Sequence, residues 1–194
     1  MWKKELAAKF DVQQLIYPDG SDTLFAVGLR GFSQFDVYQL DVKSGELLKH
    51  NMLFPAGFSG DLSFVTDNTA VAMDSTGTTV VTILFQNGQI SYHEMHVSEF
   101  IRDFSGTAVI LPSKIAGSFI LKLDSSVILV TVINEGKLKI EGSLGHADAV
   151  SDALSISNGE QAFAFVQHGD GEIRLTVKLG NEWTSNLVEE TTHG

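Results

Sequence analysis

The chain contains no cysteine, which excludes a disulfide framework, a thiolate zinc site and a thiol nucleophile, while leaving the redox compartment open. Only three prolines interrupt its 194 residues, so chain reversals must come from Gly, Asn, Asp and Ser. Basic residues are also scarce: 13 Lys and Arg stand against 24 Asp and Glu, a net charge of −11. Phosphate-rich surfaces are held by clustered cations, so neutral or basic partners are expected and nucleic acid is not. No apolar run approaches the roughly 18 residues of a membrane span, and this segment is expected not to insert into a bilayer. Met1-Trp2-Lys3-Lys4-Glu5-Leu6 lacks the apolar stretch of a secretory leader. It reads instead as the middle of a strand, with Trp2 closing a preceding unit, as in a piece of a longer protein.

What is present is a folded composition, 43% apolar and 19% charged, enough to bury a core. Its dominant pattern is alternation of period two between Gly, Asn, Asp and Ser clusters, the mark of strands with one buried face. Helical periodicity is confined to a short turn at Val97-Ser98-Glu99-Phe100-Ile101. The expected class is all-β.

Four look-alike turns organise the strands: Lys43-Ser44-Gly45, Asn87-Gly88, Asn134-Glu135-Gly136 and Leu179-Gly180-Asn181. Their glycines, at 45, 88, 136 and 180, lie 43, 48 and 44 positions apart. A second series, at Asp19-Gly20, Asp67-Asn68, Ser113-Lys114 and Asn158-Gly159, repeats with similar spacing. A period of roughly 40–50 residues with four strands in each is the signature of β-propeller blades. The expectation is a single partial propeller domain over 1–194, about four four-stranded antiparallel units with blades near 10–55, 58–97, 105–144 and 148–191. The fourth blade is expected to start with a strand at Val150–Ser157. Four blades are the lower limit for a closed ring. An arc of a larger propeller would expose apolar faces at its ends and could self-associate through them.

Residues that could carry chemistry have plainer readings beside them. His93 and His96 form the one close histidine pair, but an odd spacing on a strand sends them to opposite faces. His146-Ala147-Asp148 and His168-Gly169-Asp170 sit in turn-like contexts, where these residue types serve the backbone. Asp41, Asp74 and Asp124 each end an apolar strand, a repeated position at which a carboxylate accepts turn N–H groups. Gly57-Phe58-Ser59-Gly60 and the glycines around Asp170 match no phosphate-binding fingerprint. No catalytic, cofactor-binding or metal-ligating residue is assigned, and no cofactor is expected.

The run Phe35-Asp36-Val37-Tyr38-Gln39-Leu40-Asp41-Val42-Lys43-Ser44-Gly45-Glu46-Leu47-Leu48 resembles a blade of quinoprotein-like propellers, in which Leu-Asp is followed by a Ser/Thr-Gly-Glu turn. More closely, the stretch from Phe35 to His50, Val150 to Ser157 and Gln161 to Gly169 are similar to the lumenal region of the family of subunit 1 of the endoplasmic reticulum (ER) membrane protein complex, in its plant form. That resemblance implies a non-catalytic lumenal scaffold in a complex that inserts and stabilises transmembrane proteins. Its partners would be the other subunits and the remainder of its own full-length chain. No functional residue carries over. Two alternatives remain: a fragment of a quinoprotein-like enzyme holding pyrroloquinoline quinone and calcium, or a stand-alone ligand-binding propeller. The first calls for converging Arg, and the chain has Arg30, Arg102 and Arg174 alone.

Overall fold

The computed structural model describes residues 10–30, 34–54, 62–102, 104, 106–113, 115–123, 127–145, 162–166, 172–179 and 182–190, the last three stretches as backbone. The expected strand Val150–Ser157, Trp2, Asp124, His146, His168, the Gly57 to Gly60 stretch and Gly180 lie outside them.

Three four-stranded antiparallel meanders follow one another along the chain. The first is built from β1 (Phe10–Ile16), β2 (Thr23–Arg30), β3 (Gln34–Asp41) and β4 (Leu47–Met52). The second comprises β5 (Ser63–Thr66), β6 (Thr69–Met73), β7 (Thr79–Gln86) and β8 (Gln89–His96), and one helical turn, α1 (Val97–Phe100), follows it. The third comprises β9 (Val109–Pro112), β10 (Ser118–Lys122), β11 (Val127–Val132) and β12 (Leu138–Gly145). Beyond them β13 (Ala162–Val166), β14 (Glu172–Leu179) and β15 (Glu182–Glu190) form a three-stranded sheet in that order. All-β propeller blades are what the sequence pattern led us to expect.

The turns explain the register. Asn87 and Gly88 both have positive φ, 50° and 70°, the geometry of a type I′ turn whose twist matches the flanking strands. It pairs Gln86 directly with Gln89. Glu135 and Gly136 repeat this at φ 62° and 79° between β11 and β12.

Packing between sheets goes beyond the single buried face that period-two alternation marks, as stacked blades require. The second sheet is buried on both. Ala70, Val81, Ile83 and Phe85 share a core with Ile16, Phe25, Val27, Val37 and Leu53 of the first sheet. Val65, Val71, Met73 and Val80 turn the other way, onto Phe119, Leu121, Ile128 and Val130 of the third. Successive residues of β6 and β7 therefore alternate between two apolar seams rather than between core and water. Every residue of β6 is buried, whereas β4 and β8 at the outer margin are largely exposed. Phe25 and Phe85 meet edge to face at 5.4 Å across the first seam, the arrangement favoured by ring quadrupoles. Backbone bonds close the second: Gly117 N–H donates to the Val65 carbonyl at 2.6 Å, and Ala108 N–H to that of Gly77 at 2.8 Å.

Close approach, rather than turn geometry, accounts for Gly28. A Cβ there would collide with the Asp11 carbonyl and lie 2.9 Å from Val12 Cα, next to the register shift between Val12 and Gln14. Gly20, with φ +71°, faces open space. Gly28→Ala should therefore lower stability by about 1–3 kcal/mol through overpacking at β1. Gly20→Ala should lose about 1–2 kcal/mol by backbone strain alone. Urea midpoints measure both losses, and amide exchange distinguishes them: β1 opens in the first variant and not in the second.

Candidate functional site

The turn carboxylates come first, because their chemistry is consumed locally. Asp41 Oδ1 accepts the Ser44 N–H at 2.7 Å and the Ser44 hydroxyl at 2.8 Å. These bonds, the backbone one foremost, hold its carboxyl below the usual carboxylate range. Asp74 Oδ1 accepts the Thr78 and Thr79 N–H groups at 2.8 and 2.9 Å. Burial pushes the Asp74 carboxyl up, but hydrogen bonds from Thr76, Thr79 and Thr78 outweigh it and the net shift is downward. Both residues close turns, as their repeated position suggested.

The histidine pair is separated, as its spacing requires. His93 lies opposite Thr82 and His96 opposite Thr79 across the β7–β8 ladder. Thr79 Oγ1 is 3.2 Å from His96 Nδ1. Among the described residues no three His, Asp or Glu side chains group closely enough to hold a metal ion. No helix among them is long and apolar enough to cross a membrane.

A polar cluster that sequence reasoning did not single out lies on the face of the first sheet away from the second. Alternation along β3 sends Val37 into the seam and places Asp36 and Tyr38 on the opposite face. Asp36 is fully buried. Its Oδ2 receives Arg30 Nε at 3.1 Å and His50 Nε2 at 2.8 Å, and Oδ1 receives the Gln34 amide at 2.8 Å. Three donors thus satisfy a carboxylate that would be prohibitively costly to bury alone. The His50 ring stacks on Tyr38 with centroids 4.2 Å apart, and Phe10 meets Tyr38 edge-on at 4.6 Å. The cluster fastens β2 and β4 to β3 and fixes the shape of this face. The signal available in the sequence was one acid within an apolar strand, Phe35-Asp36-Val37. Its partners, 6 residues before and 14 after it, could not be read from spacing.

Around this cluster the same face is apolar and open. Register places Val12, Leu15, Leu47 and Met52 on it, opposite Gly28, Ala26, Leu40 and Asp36. All four are exposed, Leu15 at 59% and Met52 at 56%. Ala26, Tyr38 and Leu40 between them are buried. The corresponding faces of the second sheet are covered by neighbouring sheets, so this surface has the composition of a seam. Apolar area concentrated in this way marks an interaction surface.

Comparison with known proteins agrees with this architecture. The family model described as the EMC1 N-terminal beta-propeller domain matches residues 1–193. A search of curated proteins finds no match. Among solved structures, the periplasmic gluconolactonase PpgL of Pseudomonas aeruginosa superposes with a TM-score of 0.54 at 13% identity, over 94% of this chain and 58% of that one. A protein from Lactobacillus plantarum gives 0.52 at 16%, over 90% and 54%. The WD40 domain of SCAP from fission yeast gives 0.50 at 14%, over 94% and 43%. The chain therefore spans about half the length of these structures, and at such identities the likeness is one of fold.

Two predictions follow from the carboxylates. Arg30→Met leaves Asp36 buried with one cationic partner fewer and should cost about 3 kcal/mol or more. Asp36→Asn, which removes the buried charge itself, should cost less, and paired urea titrations test the order. The downward shifts of Asp41 and Asp74 mean that their stabilisation is complete above the ordinary carboxylate value of 3.8. It is lost as pH falls below that value, through the folded-state pKa. Asp74→Asn should flatten the acid limb of stability against pH below about 4.

Proposed function

The chain belongs to the family of EMC1 N-terminal beta-propeller domains, and from that premise we propose that it is a non-catalytic scaffold of the ER membrane protein complex, working on the lumenal side. In this reading it supports insertion and folding of transmembrane proteins by holding protein surfaces together. Its partners are other subunits of the complex and the remainder of its own full-length chain. Neither nucleic acid nor direct insertion of this segment into the bilayer has a part. The gluconolactonase name of one structural neighbour carries no activity across at 13% identity.

The observation that supports the reading best is the open apolar face of the first sheet. Val12, Leu15, Leu47 and Met52 stand exposed around a floor already buried and locked by Asp36. Protein from a neighbouring blade or subunit would bury them, and each of these half-exposed side chains so covered contributes about 1 kcal/mol, roughly half of the value for complete burial. A floor immobilised by the Arg30–Asp36 ion pair, hydrogen bonds and stacked rings loses little further entropy on binding, which favours a permanent contact. Nothing in such a contact requires a reacting group.

The test is affinity purification of the tagged full-length protein from detergent-solubilised ER membranes. Other subunits of the complex should be recovered in constant ratio; recovering none sinks the proposal. Leu15→Asp combined with Met52→Ser should reduce that recovery several-fold. Both residues are exposed, so the stability of the 194-residue chain should change by no more than about 0.5 kcal/mol per site.

A further inference from the structure

Adjacent blades touch along their inner strands and diverge toward their outer ones. Between the first and second sheets this divergence opens a cleft of about 340 Å³ beyond the Phe25–Phe85 contact. That volume is at the small end of ligand pockets, which run from roughly 300 to 1,000 Å³. Gln39 forms its floor, Lys49 and Asn51 of β4 one wall, and Gln89, Ile90 and Tyr92 of β8 the other. The alternation that sends Val37 into the seam places Gln39, Lys49 and Asn51 on the same face, since Val37 pairs with Asn51 and Gln39 with Lys49. On the opposite wall Ile83 pairs with Tyr92 and Phe85 with Ile90.

Gln39 is 8% exposed, yet its carboxamide makes no hydrogen bond to any residue, and what remains accessible of it opens into the cleft. A buried amide without a partner is costly, and most native ones are satisfied. Here the satisfying group is whatever occupies the cleft, water or a ligand, since the amide's polar atoms open into it. Three residues with carboxamides, Gln39, Asn51 and Gln89, line the cleft, and carboxamides carry the donors and acceptors that complement a peptide main chain. Lys49 supplies the cleft's single charge, and no carboxylate lines it among the described residues, although acids outnumber bases 24 to 13 in the chain. Tyr92 and Ile90 add an aromatic and an aliphatic surface.

We propose that this inter-blade cleft binds a short extended peptide segment in which an acidic side chain, held by Lys49, neighbours an apolar one resting on Tyr92 and Ile90. The carboxamides of Gln39, Asn51 and Gln89 hold its main chain. The site stands apart from the open face of the first sheet and does not depend on membership of the membrane complex, so the two proposals can fail separately.

The experiment titrates the isotope-labelled 194-residue chain with an N-acetylated, C-amidated Leu-Asp-Leu tripeptide, followed by side-chain amide and aromatic resonances. Shifts are expected at the amides of Asn51 and Gln89 and at the ring of Tyr92. Lys49→Gln should weaken binding about tenfold, the scale of one charge-assisted hydrogen bond. Asn51→Leu should weaken it further, and the same tripeptide with lysine in place of aspartate should not bind. Both substituted side chains reach solvent, and an unchanged melting temperature verifies that each variant is folded. Three outcomes would overturn the proposal: no binding at millimolar peptide, binding indifferent to both substitutions, or shifts at the same amides produced by mannobiose and not by the tripeptide. The last would assign the cleft to a saccharide.

Discussion

Burial of a sheet on both faces is the constraint from which the rest of this structure follows. A four-stranded meander of this size cannot protect its own inner strands; it needs a neighbour on each side. The second sheet has both neighbours, and β6 and β7 accordingly lack a solvent face. The second sheet then serves as the wall of two seams. The Phe25–Phe85 contact and the core around Phe119 and Leu121 are consequences of the same requirement.

Function is shaped by where that requirement is met and where it is not. Burying a polar group without a partner is costly, and among the described side chains only the Tyr38 and Thr82 hydroxyls are buried in that way. Asp36 shows how an acid is accommodated on a sheet face, with Arg30, His50 and Gln34 all converging on one carboxylate. Where a seam widens, polar residues return, and the Gln39 amide, with no hydrogen bond to a described residue, opens into the cleft. Where no described residue walls a face, as around Leu15 and Met52, apolar area stays exposed. The open face and the cleft are the two kinds of incompleteness that stacked sheets produce, and both suit the recognition of other proteins.

The repeat was legible because turns are local. Gly45, Gly88 and Gly136 occupy conformations that few residues tolerate, so their spacing disclosed the repeat. Asp41 and Asp74 were legible for the same reason, since a carboxylate capping its own turn needs partners only a few positions away. The Asp36 cluster was not, because Arg30 and His50 reach it through strand pairing. The floor of the cleft was hidden too: nothing around Gln39 in Val37-Tyr38-Gln39-Leu40 distinguishes an amide in water from one beneath a second sheet.

By itself, then, the sequence determined the class of fold, the hairpins and the fate of the turn acids, since each depends on side chains acting on nearby backbone. Only the tertiary structure decided which strands would be buried twice, which acid would be ringed by hydrogen-bond donors and which apolar face would remain open. Those outcomes depend on what lies about 10 Å away across a sheet interface, and period-two alternation looks the same whether the second face meets water or another blade.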